Sequence, residues 1–142
     1  MKKIISLALM VLATGLCFAE ENAVPELTIT EIKDKLYIIS GDGGNMAYLH
    51  GAEGGVLIDN GYSRTGSGIL DALKTLGDEH PKYVVNTHYH GDHAGSNLTF
   101  GKAGSIIVGH RNARARLAAV YISYTHSSGI VSWSSIVTFG VP

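Results

Sequence analysis

Short apolar runs alternate with glycine-rich or charged turns along the chain from residue 27 onward. Such runs, when turn residues bound them, are typical of strands, and they occur at 27–30, 36–39, 46–49, 55–58, 83–86 and 106–108. Ile69, Leu73 and Leu76 recur at helical spacing and predict a helix that Gly77 ends. Further helices are predicted to begin within 94–100 and to cover 111–120, the latter with its three arginines exposed. Strands alternating with helices predict an α/β fold, with 83–86 buried on both faces if helices cover the sheet.

The first nineteen residues predict a secretory signal peptide. Two lysines precede the apolar stretch 4–18, and Cys17-Phe18-Ala19 forms a small-x-small cleavage site before Glu20. The apolar run is too short and too weakly flanked to predict a membrane span. We therefore expect export to the periplasm or the medium, cleavage after Ala19, and no membrane association of the mature protein. Residues 20–26 are expected to form a flexible lead-in.

The mature chain would have 123 residues, enough for one domain with a modest core. It would carry nine basic and twelve acidic residues, net −3 with neutral histidines, and no basic stripe, so we expect no nucleic-acid partner. The single cysteine, Cys17, would leave with the signal peptide. The mature protein would then have neither a disulfide nor a thiolate metal ligand.

The candidate chemistry lies in the segment 87–96, which follows the strand at 83–86. His88, His90, Asp92 and His93 fall within six residues there. Alternate side chains of an extended segment share a face, so His88 and His90 can converge on one ion, and Gly91 then allows the backbone to turn. Imidazole with carboxylate favours Zn²⁺, with iron and manganese as alternatives. The competing interpretation is a solvated loop that holds histidines by chance, and the density of ligands disfavours it.

Asp59 ends the strand at 55–58, beside Asn60-Gly61. One interpretation is a turn-capping aspartate that binds nearby amides. The other is a carboxylate that supports the metal loop by orienting a ligand imidazole, and we favour this supporting role over direct ligation.

The histidine segment and its flanks resemble the metallo-β-lactamase superfamily. The resemblance rests on three features: the histidine segment, the Gly-Asn-rich hairpin 43–49, and the segment 56–61, in which a strand leads into Asp59. It covers residues 27–117. It implies a four-layer αββα sandwich of which this chain supplies the N-terminal half. It further implies a zinc-dependent hydrolase of small-molecule lactams, esters, thioesters or related substrates, using one or two ions. His88 and His90 would hold a first ion, Asp92 and His93 a second, and Asp92 would also orient the hydroxide.

The tail at 118–142 departs from the family pattern. No acidic residue follows Asp92, and the stretch from Leu117 to the end has no formal charge. His126 lies in a weak likeness to the family's later histidine motif, after a strand-like stretch at 119–123, and is the candidate third ligand. His110 we leave out of the site. The alternative is therefore a degenerate, non-catalytic metal-binding or inactive fragment. The oligomeric state is left open.

Overall fold

The computed structural model describes residues 26–119 in full and the backbone of residues 120–124 and 136–139. The predicted signal peptide, most of the lead-in and His126 lie outside these residues. The described strands are β1 (Thr28–Lys33), β2 (Leu36–Ser40), β3 (Met46–Leu49), β4 (Val56–Ile58), β5 (Tyr83–Asn86), β6 (Ile106–His110) and β7 (Ile136–Phe139). The described helices are α1 (Gly66–Thr75), α2 (Gly91–Ala94), α3 (Asn97–Ala103) and α4 (Arg111–Tyr124).

Within these described residues, seven strands form one sheet whose spatial order follows the chain from β1 to β7. The first four strands pair antiparallel as hairpins. Residues in left-handed conformations close two of the turns: Lys35 has φ 60° between β1 and β2, and Gly54 has φ 110° between β3 and β4. The strands β4 to β7 pair parallel, and helices connect them as parallel pairing requires.

One face of the sheet packs against α1 and α3 and forms the core. The core combines strand residues with Ile69 and Leu73 of α1 and Phe100 of α3, all fully buried. Consecutive parallel strands added in one direction, each by a right-handed crossover, place their connecting helices on the same face. The helix predicted at 69–76 is confirmed as part of α1, which covers this face of the sheet. Gly77, with φ 99°, follows its end, as predicted.

The opposite face of the sheet is apolar and partly open. Alternate residues of β4 and β5 on this face, among them Ile58 and Val85, are only half-buried, and Tyr83 is exposed. The condition under which β5 would be buried on both faces is therefore not met in this part of the chain, because the described helices pack on one side of the sheet. A half-covered sheet fits the N-terminal portion of a four-layer sandwich, in which the second sheet would pack here.

Helix α4 corrects the interpretation of residues 119–123 as strand-like. The backbone stays helical to Tyr124, because Ala118 and Ala119 are strong helix formers and a formed helix extends at little cost. The three arginines Arg111, Arg114 and Arg116 are exposed, as predicted, and Ala113 and Leu117 are buried. None of the helices in the described residues is both long and apolar enough to cross a membrane.

Candidate metal centre

The histidine segment leaves the carboxyl end of β5 beside the carboxyl end of β4. The two strands pair in parallel with Ile58 opposite Val85, so Asp59 comes to lie next to Thr87. The carboxyl ends of parallel strands are where α/β sheets place their sites. After His90 the chain enters the single turn of α2, which holds Asp92 and His93. The side chains predicted from sequence thus meet at one edge of the sheet.

His88 and His90 face each other across a short gap. The His88 Nε2 and His90 Nδ1 atoms are 3.2 Å apart, and the ring centroids are 4.8 Å apart. Two nitrogen ligands bound at about 2.0–2.1 Å to one tetrahedral zinc ion would lie about 3.3–3.4 Å apart. The observed separation matches that geometry, so the extended segment brings these two imidazoles into a chelating arrangement.

His93 joins the cluster from α2. Its Nε2 atom lies 3.2 Å from Asp92 Oδ2, and its ring centroid lies 4.1 Å from that of His88. On the other side of the ring, Nδ1 lies 2.8 Å from Asp59 Oδ2. Since a carboxylate only accepts, His93 Nδ1 donates to Asp59. Nε2 faces Asp92, and an ion held between these two residues would take the place of a proton on Nε2.

A second hydrogen-bond chain links Asp59 to His88. The Thr87 hydroxyl lies 2.8 Å from Asp59 Oδ2 and 3.0 Å from His88 Nδ1. It has one proton, and donating that proton to the carboxylate requires His88 Nδ1–H to donate to the hydroxyl oxygen. The His88 Nε2 atom then keeps its lone pair towards His90. The Asp59 carboxylate thus orients the His93 ring directly and the His88 ring through Thr87.

Asp59 is buried and held in an unusual backbone conformation. Its φ is 61°, a left-handed conformation that costs a non-glycine residue about 1 kcal/mol or more and that Asp tolerates better than most. Its side chain is 6% exposed and also accepts the Thr87 backbone N–H over 2.8 Å. The partners of the carboxylate are distant in sequence, which disfavours the local turn-capping interpretation.

Asp59 is also a possible direct ligand. Among the described residues, one ligand atom each from Asp59, His88 and His93 lies within 4.8 Å of the other two, so these residues could hold a metal ion. The carboxylate, however, already accepts from the Thr87 backbone, the Thr87 hydroxyl and His93. A supporting role uses these bonds as they stand, whereas an ion on the carboxylate would compete with them.

The glycine-rich turn between β2 and β3 covers the cluster. A Cβ atom on Gly44 would meet the His93 ring at 2.5 Å, so only glycine fits there. The Gly44 backbone N–H donates to the Asp92 carbonyl over 3.2 Å. Neither contact is visible in the sequence, where Gly41-Asp42-Gly43-Gly44 predicts only a hairpin turn.

Asn60 fixes the backbone of the segment 93–97 through hydrogen bonds. It was not identified from the sequence. It is fully buried, its backbone N–H donates to the His93 carbonyl over 2.7 Å, and its amide oxygen accepts from the Ser96 N–H over 2.8 Å. Its side-chain nitrogen donates to Asn97. The position directly after Asp59 was the one available signal, since a buried asparagine among loop residues must find partners.

A separate polar cluster lies at the opposite end of the strands. Asp78 accepts from the Tyr48 hydroxyl, and its Oδ2 lies 3.1 Å from His50 Nδ1. Burial raises the pKa of the Asp78 carboxyl, and the charge of His80 partly offsets this. Because β3 runs away from the metal loop, this cluster is remote from the candidate centre.

The donor chemistry fits a zinc-type ion. Imidazole nitrogens and carboxylate oxygens are the donors that Zn²⁺ takes in proteins, and no thiolate is needed. The hydrogen bonds from Nδ1 of His88 and His93 to outer groups are the kind that orient metal-binding histidines. The residues present therefore form a candidate metal-binding group.

Comparisons with known proteins agree with this architecture. A metallo-β-lactamase from Pontibacter korlensis is 22% identical, with a TM-score of 0.61 over 82% of this chain and 54% of its own. The FIM-1 metallo-β-lactamase from Pseudomonas aeruginosa, in its mono-zinc form, is 18% identical, with a TM-score of 0.61 over 71% and 49%. A HARLDQ-motif metallo-β-lactamase from Cronobacter sakazakii is 20% identical, with a TM-score of 0.60 over 65% and 38%. At these identities the likeness establishes the fold.

The sequence comparison is more specific. No curated protein sequence matches the chain, and the chain spans only 38–54% of the length of the three structures above. The model of the metallo-beta-lactamase superfamily, however, matches residues 39–132, which is well over half of the chain and contains the whole candidate centre. Together with the sheet, the helices and the N-terminal portion of the sandwich, this match shows that the chain belongs to the metallo-β-lactamase superfamily.

Proposed function

We propose that this chain carries the metal centre of a zinc-dependent hydrolase. His88 and His90 would hold one ion through Nε2 and Nδ1, and His93 and Asp92 would hold a second. Asp59 would stay outside the coordination sphere and fix the imidazoles. The proposal rests on one observation above all. The donor atoms of His88 and His90 are 3.2 Å apart, and so are those of His93 and Asp92. Both distances are close to the spacing of two ligands on a single tetrahedral ion.

Each residue would have a defined task in hydrolysis. A bound zinc ion supplies a lowered pKa for a coordinated water and polarises a carbonyl or phosphoryl oxygen. Asp92, whose side chain is 34% exposed, can accept a hydrogen bond from the attacking water and orient it. Asp59 and Thr87 keep the protons of His88 and His93 on Nδ1, so that the ligand atoms stay unprotonated.

The substrate would be a small molecule with a hydrolysable lactam, ester, thioester or related bond. The similar structures above are metallo-β-lactamases, one of them in a mono-zinc form, which supports zinc and a lactam among the substrates to test. The predicted signal peptide, if cleaved after Ala19, would export such an enzyme to the periplasm or the medium. Iron or manganese would suit the same donors less selectively.

A metal-binding protein without turnover is the second candidate. A catalytic zinc site takes three protein ligands and keeps one open position, whereas each donor pair described above supplies two. No acidic residue follows Asp92 in the sequence, and His126 is the one remaining candidate ligand proposed from sequence. Metal uptake is therefore the property to be tested first.

Zinc content and thermal stability of the purified mature chain, with and without chelator, test the proposal. We expect near-stoichiometric zinc and a loss of stability on chelation. Free zinc at about 100 times its Kd adds about 2.7 kcal/mol to the unfolding free energy, which corresponds to about 10 °C in melting temperature for a domain of this size.

Single variants locate the ion. His88→Ala should lose zinc, whereas His80→Ala, which changes a histidine outside the loop, should keep it. Equal zinc content in these two variants, or no zinc in the parent chain, would refute the assignment. Hydrolysis of a lactam, lactone, thioester and phosphodiester panel that stops on chelation and returns with zinc supports the enzyme, whereas tight uptake without hydrolysis supports the second candidate.

A further inference from the structure

His90 differs from the other two histidines of the loop in what orients it. His88 Nδ1 is bonded to Thr87 and His93 Nδ1 to Asp59. Among the described side-chain contacts, the one polar atom near the His90 ring nitrogens is Nε2 of His88, its proposed co-ligand, at 3.2 Å, and the residue is exposed. A ligand imidazole without an outer hydrogen bond is free to turn, which lowers metal affinity.

Tyr89 packs against the His90 ring instead. The two ring centroids are 4.5 Å apart with the planes tilted by 59°, within the range of favourable aromatic pairs. Because Tyr89 is in contact with the His90 ring, a change of the Tyr89 rotamer would leave that ring free to turn. The position of His90 therefore depends on what fixes the Tyr89 ring.

Arg116 of α4 holds it. The guanidinium carbon lies over the Tyr89 ring, 5.3 Å from its centroid, within the distance at which a cation is attracted by an aromatic face. Among the described residues Arg116 forms no ion pair, although its side chain is exposed and charged. The contact with Tyr89 is therefore its one directional interaction in this part of the chain.

We propose that Arg116 is a positioning residue of the metal centre, acting through Tyr89 to fix the His90 imidazole with Nδ1 facing His88 Nε2. The ladder of guanidinium, phenol ring and imidazole replaces the outer hydrogen bond that His90 lacks. It links α4, which follows β6, to a ligand that follows β5. This inference rests on the proposed function, since it concerns the same ion.

The sign of the effect on zinc affinity separates this role from simple electrostatics. Removing a positive charge beside a cation site should strengthen zinc binding. Loss of the ladder should weaken it, by about two- to fivefold for an exposed cation–π contact. Arg114→Ala is the matched control, because Arg114 is exposed on the same helix and, among the described contacts, touches no ring.

Zinc affinity would be measured in the full chain by competition with a chromophoric chelator, at low and at high salt. We expect a weaker affinity for Arg116→Ala, an equal or stronger one for Arg114→Ala, and an intermediate one for Arg116→Lys, which keeps the charge but not the planar group. Tyr89→Phe should bind as the parent does and Tyr89→Ala should not. Equal affinities of Arg116→Ala and Arg114→Ala would overturn the proposal.

A measurement without zinc keeps the two proposals apart. In the metal-free chain, NMR contacts between the Tyr89 and His90 rings should be present in the parent and in Arg114→Ala, and lost in Arg116→Ala. Retained contacts in Arg116→Ala refute the positioning role, even where the parent binds zinc well. Absent zinc uptake by the parent with ring contacts that depend on Arg116 refutes the proposed metal function alone.

Discussion

Replacing Asp59 by Asn tests the hydrogen-bond network of the metal centre with the least change in shape. Asn has nearly the volume of Asp and tolerates the left-handed backbone, so the φ of 61° adds no new strain. Its amide oxygen can still accept the Thr87 backbone N–H. Its amide nitrogen, however, would face the His93 Nδ1–H, which now donates to the carboxylate over 2.8 Å. Two donors would meet, and His93 would have to move its proton to Nε2.

The same substitution reverses the direction of the hydrogen bonds that link residue 59 to His88 through Thr87. The amide nitrogen would donate to the Thr87 hydroxyl, which would then donate to His88 Nδ1 and leave the His88 proton on Nε2. The Nε2 atoms of His88 and His93, which are proposed to bind metal, would then both carry protons. We expect zinc affinity to fall about 10–100-fold, as for other losses of outer-shell partners. The zinc-free protein should lose about 1.5–3 kcal/mol of unfolding free energy, the contribution of one charge-assisted hydrogen bond.

Chelator competition measures the affinity, and two-bond ¹H–¹⁵N NMR of the imidazoles measures the tautomers directly. The exposed Asp71→Asn variant removes the same charge from a position on α1 and should change neither. A parent-like zinc affinity in Asp59→Asn would refute the supporting role of the carboxylate. Weaker binding with unchanged tautomers of His88 and His93 would instead indicate that Asp59 is a direct ligand.

Three further substitutions, with Gly101→Ala as a control, test the surroundings of the centre and the remote Asp78 cluster. Gly44→Ala should displace the His93 ring and weaken zinc binding in chelator competition, whereas Gly101→Ala, with open space around its Cβ position, should add about 0.5–1 kcal/mol of stability. Asn60→Ala leaves the Ser96 backbone N–H and the Asn97 side chain without their partners and should cost about 2–4 kcal/mol in denaturant unfolding. A cost below about 0.5 kcal/mol, the scatter of surface substitutions, would contradict this. Burial raises the pKa of Asp78, so its contribution to stability is present at acidic pH and lost as pH rises through that pKa; Asp78→Asn should remove this slope from melts recorded from about pH 4 upward.

The strands could be predicted because each one has a local signature. The run at 83–86 coincides with β5, and the runs at 36–39 and 106–108 fall within β2 and β6, since apolar residues between turn signals leave few alternatives. The stretch 119–123 was misassigned because its β-branched and aromatic residues favour a strand only in isolation. In the chain they continue a helix that has already begun, and cooperativity outweighs their propensity.

The site was predictable in its residues but not in its connections. The cluster of His88, His90, Asp92 and His93 is a local pattern, so the sequence displays it. The roles of Thr87 and Gly44 depend on contacts with residues 28 and 49 positions away in the chain. No periodicity or motif records such pairs, because they arise only once the hairpin and the parallel strands have assembled.

The strictly sequential strand order has a consequence for how the protein is made. Each described strand pairs with its neighbours along the chain, so a strand leaving the ribosome finds the preceding strand already present. Low sequence separation between partners favours fast folding, and domains fold from the N-terminus during synthesis. His88, His90, Asp92 and His93, with Asp59 and Thr87 that support them, lie between residues 59 and 93, and β6 ends at residue 110. This network can thus form on the nascent chain before α4 has left the ribosome, and the contact of Arg116 with Tyr89 would be added only afterwards.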